Sequence, residues 1–302
     1  MHRLSCLYIL SLLAIGASTA LAQDAHAAQP SDSTSQSAEK TPPAVPARPT
    51  VTNPAHIPLP GYLQLEQGIV EAADSPGQPR VDRQFSIVQT TKLALSHYFM
   101  IQAADQPFAR TSFAPGSPSN DTGDLVLGAQ VLLTDKNEGY SATPTVAFSY
   151  NGRVRSGTSA NLDTGGFSQG ALALMSGSLH GIHYDTNATF NEQQGQNATG
   201  ADVRRAQFGQ SLSLTRQVTK PLSFTGELWH FTQPFVATSR AGKPIARANA
   251  VGLLFAAAYS LRPNLVFDAG IDHGLTSTST AWEGLLGFTY LLPHRLWSGG
   301  GR

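Results

Sequence analysis

Asp124-Leu-Val-Leu-Gly-Ala-Gln-Val-Leu-Leu-Thr134 alternates with period two. Leu125, Leu127, Ala129, Val131 and Leu133 share one face, and Asp124, Val126, Gly128, Gln130, Leu132 and Thr134 share the other. Successive side chains of a strand point to opposite faces, so strict alternation predicts a half-buried strand. The same period recurs from Arg205 to Thr215, where Ala206, Phe208, Leu212 and Leu214 oppose Arg205, Gln207, Gly209, Ser211, Ser213 and Thr215. It recurs again from Trp282 to Tyr290.

About twelve such runs lie between Gly61 and Leu292, near 62–71, 81–92, 93–103, 123–134, 140–150, 167–177, 179–190, 203–217, 220–231, 246–259, 264–272 and 281–292. Turn signals separate them, among them Asn151-Gly152 and Arg262-Pro263-Asn264. Short connectors (217–220, 260–263) alternate with long polar ones (104–122, 151–166, 191–202), the habit of an outer-membrane barrel. The 232 residues from 61 to 292 allow about 19 per strand and connection, enough for spanning strands of roughly 9–11 residues. No segment after residue 22 reaches 18 apolar residues, which argues against a helical membrane protein. Ala250 to Tyr259 is the longest apolar run and reads as a strand because its neighbours alternate.

A soluble β-sandwich would alternate too. Here the polar faces are small and uncharged, where a solvated surface carries Lys and Glu. Charged residues make up 13% of the chain, against about 25% in soluble domains. Aromatic residues gather near run ends, as in interfacial girdles: Tyr98, Phe99, Phe148, Tyr150, Tyr184, Trp229, Phe231, Tyr259, Trp282, Tyr290 and Trp297. The fold expected is therefore all-β: a transmembrane antiparallel up-and-down β-barrel of about twelve strands. The 20 acidic and 20 basic residues balance, with no basic stripe for nucleic acid. The single cysteine, Cys6, excludes a disulfide framework.

The N-terminus reads as a secretory signal peptide over 1–22, with Arg3, an apolar run and Ala20-Leu21-Ala22 before the cut. Residues 23–60 hold eight prolines and no aromatic residue. They read as a disordered, partly polyproline-like periplasmic linker in which His26 and His56 are solvated. The barrel is expected over 61–297 and a flexible tail over 298–302.

Asn264-Leu-Val-Phe-Asp-Ala-Gly-Ile-Asp-His-Gly-Leu275 followed by Trp282-Glu-Gly-Leu-Leu-Gly-Phe-Thr-Tyr290 resembles the last hairpin of the transporter-like outer-membrane family of phenol-degradation meta-pathway proteins. Glu66-Gln-Gly-Ile-Val-Glu71 and Gly123-Asp124-Leu-Val-Leu-Gly128 agree with it, and the likeness spans roughly 61–292. It implies an outer-membrane channel for aromatic or other hydrophobic compounds. The chain departs from many such barrels in the tail Pro293–Arg302 that follows Tyr290.

Enzyme-like motifs read better as local structure. Gly166-Phe-Ser168-Gln-Gly170 matches a nucleophile elbow, which needs a strand before it and a helix after it; here a loop precedes and an alternating run follows. Asp121-Thr-Gly123 and Asp163-Thr-Gly165 sit in loop composition without the apolar strands an aspartic dyad needs. His180 and His183, three apart on a strand, would face opposite sides and share no metal. A lipase-type barrel would need Ser and His on neighbouring strands at the membrane edge.

The alternation assigns Glu66, Arg205, Gln207, Glu227, Asp268, Asp272 and Glu283 to the lumen. The acids either pair with Arg205 or Lys92 across a packed interior or form a polar constriction that selects solutes. A narrow pore, partly plugged by a loop, follows from a barrel of this size. The function expected is passive passage of small, hydrophobic or aromatic solutes, without a cofactor. The partners expected are outer-membrane lipid, the solute and the barrel-assembly machinery. The alternatives are a non-conducting barrel with a structural or lipid-modifying role, and a secreted soluble sandwich that binds a ligand.

Overall fold

A computed structural model describes residues 41–76, 80–135, 143–158, 167–196, 202–235, 237–245 and 248–297. The signal peptide, residues 23–40 of the expected linker, Asp163-Thr-Gly165 and the tail 298–302 lie outside these. Among them run β1 (Leu63–Ser75), β2 (Arg80–Ala94), β3 (Phe99–Ala114), β4 (Ser119–Asp121), β5 (Leu125–Thr134), β6 (Thr145–Val154), β7 (Ser168–Leu179), β8 (Ile182–Gln196), β9 (Asp202–Gln217), β10 (Leu222–Thr232), β11 (Ala237–Thr238), β12 (Pro244–Ile245), β13 (Asn249–Arg262), β14 (Leu265–Gly274) and β15 (Trp282–Leu291). Leaving aside the short β4 and the β11–β12 hairpin, twelve long strands remain, each antiparallel to its sequence neighbours. β1 pairs β15 from Gln64↔Leu291 to Ala73↔Trp282, which closes the ring and leaves no free edge.

The apolar face of each strand points outward. Leu127, Phe208, Leu214, Phe255, Ile271 and Leu286 are exposed, while Gln64, Gln130, Ser149, Ser213 and Thr289 are buried. A soluble sandwich buries the opposite face, so this inversion has the pattern of a membrane-spanning barrel, apolar outside and polar inside. No apolar core of ordinary size fills the inside; the buried apolar cluster is Ala55, Leu132, Ala147, Leu172 and Leu174.

The twelve sequence runs correspond to the twelve long strands, and the Ala250–Tyr259 stretch is strand throughout. One boundary moves. The run placed at 93–103 starts at Phe99, because Leu93 and Ala94 finish β2 and the chain turns at 95–98, with Leu95 N–H donating to Phe99 O. His180 (φ 50°) and Gly181 (φ 78°) form the two-residue β7–β8 turn, whose positive φ at both positions matches the twist of the strands. His180 therefore sits in a turn and not on a strand.

Both ends of the barrel chain, and the connections 95–98, 180–181, 218–221 and 263–264, lie at one end of the barrel. The longer connections 115–124 and 275–281, and the described parts of those after β6 and β10, lie at the other. These are called the short-turn end and the long-loop end below.

Candidate functional site

The lumen is not empty. Residues 41–60, expected to continue the disordered linker, enter the barrel at the short-turn end. They follow the inner wall through one circuit and leave beside β1. This segment is called the belt. Proline at 42, 43, 46, 49, 54, 58 and 60 keeps it extended and removes backbone donors. The backbone donors of Val45, Ala47, Val51, Thr52, Asn53 and Ala55 are met by wall side chains, as buried backbone requires.

The anchors run in order around the ring. Ala44 N–H donates to Pro263 O. Val45 exchanges both backbone groups with the Gln64 amide on β1, N–H to Oε1 at 2.8 Å and Nε2 to O at 2.7 Å. Arg48 faces Asp268 on β14 at 3.6 Å. Its guanidinium occupies the space that a Cβ at Gly68 or Gly287 would fill, and those glycines are register partners on β1 and β15. Glu227 on β10 accepts Val51 N–H at 3.0 Å, Thr52 N–H at 2.7 Å and Thr52 Oγ1 at 2.7 Å. Asn187 on β8 bonds both ways to Asn53. Ala55 N–H reaches Ser176 Oγ on β7, and Gln130 Nε2 on β5 donates to Ala55 O. Thr52 is 1% exposed and Ala55 is fully buried. Burial is the main influence on His56 and lowers its pKa from the ordinary imidazole value; His183 adds to the lowering, and Asp185 and Asp135 oppose it.

Six of the seven residues assigned to the lumen by alternation lie on inward faces with little exposure: Glu66, Gln207, Glu227, Asp268 and Asp272 are buried and Glu283 is half-buried. Glu66 bonds to Lys92 Nζ at 2.6 Å, one of the two pairings expected. Arg205 shares the inward parity but is exposed toward the long-loop end. There its guanidinium donates to Pro234 O at 2.8 Å and covers the Phe235 ring at 4.9 Å, so it pairs with none of the acids. Asp268 faces Arg48 instead, a partner hidden in the supposed linker. The acids are thus divided between belt anchoring and a set on the long-loop side of the belt.

That long-loop side also holds aromatic residues. Trp229 and Phe231 were expected in an interfacial girdle, but they share the inward parity of Glu227. Trp229 Nε1 donates to Asp272 Oδ2 at 2.8 Å. A polar recess of about 190 Å³ between β5, β6, β7 and β8 is lined by Asn151, Arg153, Asn191 and Gln193, among others. Below it, a void of about 20 Å³ lies between His56, Pro58, Gln130 and Leu174.

The enzyme-like motifs find structural uses. Ser168 opens β7 with strand following it, not helix; Gly166 lies outside the described residues. Asp121 accepts Ser119 Oγ within β4. Ser178 and His183 do meet on neighbouring strands, with Oγ 3.3 Å from Nδ1, and His183 Nε2 lies 3.2 Å from Asp185. Asp185 also accepts Ser176 Oγ, the hydroxyl that anchors Ala55, so this chain of polar groups ends in the belt. Among the described residues no group of three His, Cys, Asp or Glu could hold a metal ion.

Comparison with known proteins agrees with this architecture. Residues 47–292 match the family described as "Putative MetA-pathway of phenol degradation". The match begins inside the belt, so belt and barrel fall within one family pattern. An outer membrane channel from Pseudomonas putida F1 is similar in structure, with a TM-score of 0.59 at 13% identity over 78% of this chain and 97% of that one. The NanC porin is similar with a TM-score of 0.51 at 10% identity, over 76% of this chain and all of the porin. At these identities the likeness is one of fold. A comparison with curated protein sequences finds no match.

Proposed function

The chain belongs to this phenol-degradation MetA-pathway family, and from that premise we propose that it is a passive outer-membrane channel for small aromatic or hydrophobic solutes, narrowed by its own belt. The observation that carries the reading is the closed ring whose inward face is polar and whose exterior is apolar, with one extended segment crossing the lumen. Short turns face the periplasm in such barrels. The belt would then enter from the periplasmic side, and a solute from outside would meet the long-loop vestibule first. Diffusion down a gradient needs no cofactor and no catalytic group. Outer-membrane lipid and the barrel-assembly machinery are the partners this placement requires.

The test is single-channel recording of the chain from residue 23 in a planar bilayer, beside a variant lacking residues 45–57. The expected result is small discrete steps for the first and larger steps for the second. A folded, heat-modifiable barrel that stays silent in both forms would overturn the channel and favour the structural role.

A further inference from the structure

Above the belt, the inner face of β10 carries Trp229 and Phe231, two and four residues beyond Glu227 toward the long-loop end. Each ring lies across a glycine of a flanking strand. Gly252 on β13 is the register partner of Trp229, and a Cβ there would meet the indole. Gly209 on β9 is the register partner of Phe231, and a Cβ there would meet the phenyl ring. The indole passes over Gly252 to bond Asp272 on β14, two strands away. The two rings stand 6.0 Å apart, tilted by 50°, about a notch between them. Trp229 and Phe231 are each half-buried, so part of both rings stays accessible.

Among the described residues, the ionisable side chains on the inner faces of β10, β13, β14 and β15 beside the notch, Glu227, Asp272 and Glu283, are all acidic. Glu227 is held by neutral belt donors and Asp272 by the indole, and Glu283 on β15 is the register partner of Asp272. Among the described residues none of the three forms an ion pair. Asp272 is 6% exposed, and its Oδ1 has no hydrogen-bond partner. An aromatic face attracts a cation, and an indole whose N–H is given to a carboxylate presents a more electron-rich face. We propose that the notch is a binding subsite for organic cations that carry an aromatic ring, arylalkylammonium ions above all, in preference to aromatic carboxylates. This deepens the channel reading, on which it rests only for the route by which a solute arrives.

Binding is measured on the full mature chain with Trp282→Phe and Trp297→Phe, which leaves Trp229 as its one tryptophan. Benzylammonium and benzoate, matched in ring, are titrated against its fluorescence at neutral pH. Benzylammonium is expected to bind about tenfold more tightly. Asp272→Asn keeps an acceptor for the indole and is expected to remove most of that preference. Glu283→Gln gives a second reading should the first variant fail to fold. Equal affinities, or a preference untouched by both variants, would overturn the proposal. The titration needs no current. A silent bilayer with the preference intact therefore removes the channel and keeps the subsite, and a conducting barrel without preference does the reverse.

Discussion

At the scale of single residues, the belt depends on wall groups that are buried and charged. Glu227, 1% exposed, holds three belt donors. Glu227→Gln keeps the shape but replaces a carboxylate with an amide that has one accepting oxygen. The expected cost is about 1.5–3 kcal/mol, the range for a hydrogen bond to a charged group. It should appear as faster proteolysis of the 45–57 segment in the folded barrel; unchanged cleavage would sink the anchoring role. Lys92→Met leaves the Glu66 carboxylate buried with only neutral donors, Gln64 Nε2 and Ala47 N–H. That should cost about 3–5 kcal/mol in reversible folding into vesicles, with most of it recovered in the double variant Glu66→Gln/Lys92→Met. The inward acids were legible because parity alone places them. The same parity reaches Trp229 and Phe231 from Glu227, yet position near a run end suggested a girdle. The partner of Asp268 was not legible, since no spacing rule links residue 48 to residue 268.

At the scale of elements, the belt shows why composition misjudges this segment. Residues 41–60 bury little apolar surface of their own, which is the mark of disorder in an isolated chain. Their order comes from a surrounding wall that supplies acceptors at Gln64, Glu66, Glu227, Asn187 and Ser176 in turn. None of that is visible in a window of local sequence. The strands, in contrast, write their own period, because each residue faces either lipid or lumen. The belt's fixed place makes a prediction about movement. The chain after residue 22 has no cysteine, so Ala55→Cys with Ser176→Cys introduces one pair, at positions whose backbone and side chain already touch at 2.7 Å. Oxidation should form the cross-link without loss of heat-modifiability. If the belt must shift for larger solutes to pass, the oxidised form should admit them more slowly in liposome swelling, and reductant should restore the rate. A rate indifferent to oxidation would show that solutes pass a stationary belt.

At the scale of the whole molecule, stability comes from a closed hydrogen-bonded ring and not from an apolar interior. Every long strand pairs on both sides, so no backbone edge meets the hydrocarbon. This inverts the usual consequence of exposure. Phe255 is 63% exposed midway along β13, and Leu261 is 56% exposed near the short-turn end of the same strand. In water, replacing either by arginine would be nearly neutral, as for most surface positions. In a bilayer, depth decides: arginine at the midplane costs about 2–4 kcal/mol and near the interface about 0–1. Phe255→Arg should therefore destabilise the barrel strongly and Leu261→Arg weakly, measured by urea-driven equilibrium folding into vesicles. Two equal, small effects would mean that the apolar band does not face lipid. The twelve strands could then still form the same ring, but its exterior would require another protein or solvent to cover it, and the polar lumen would no longer be a path across a membrane.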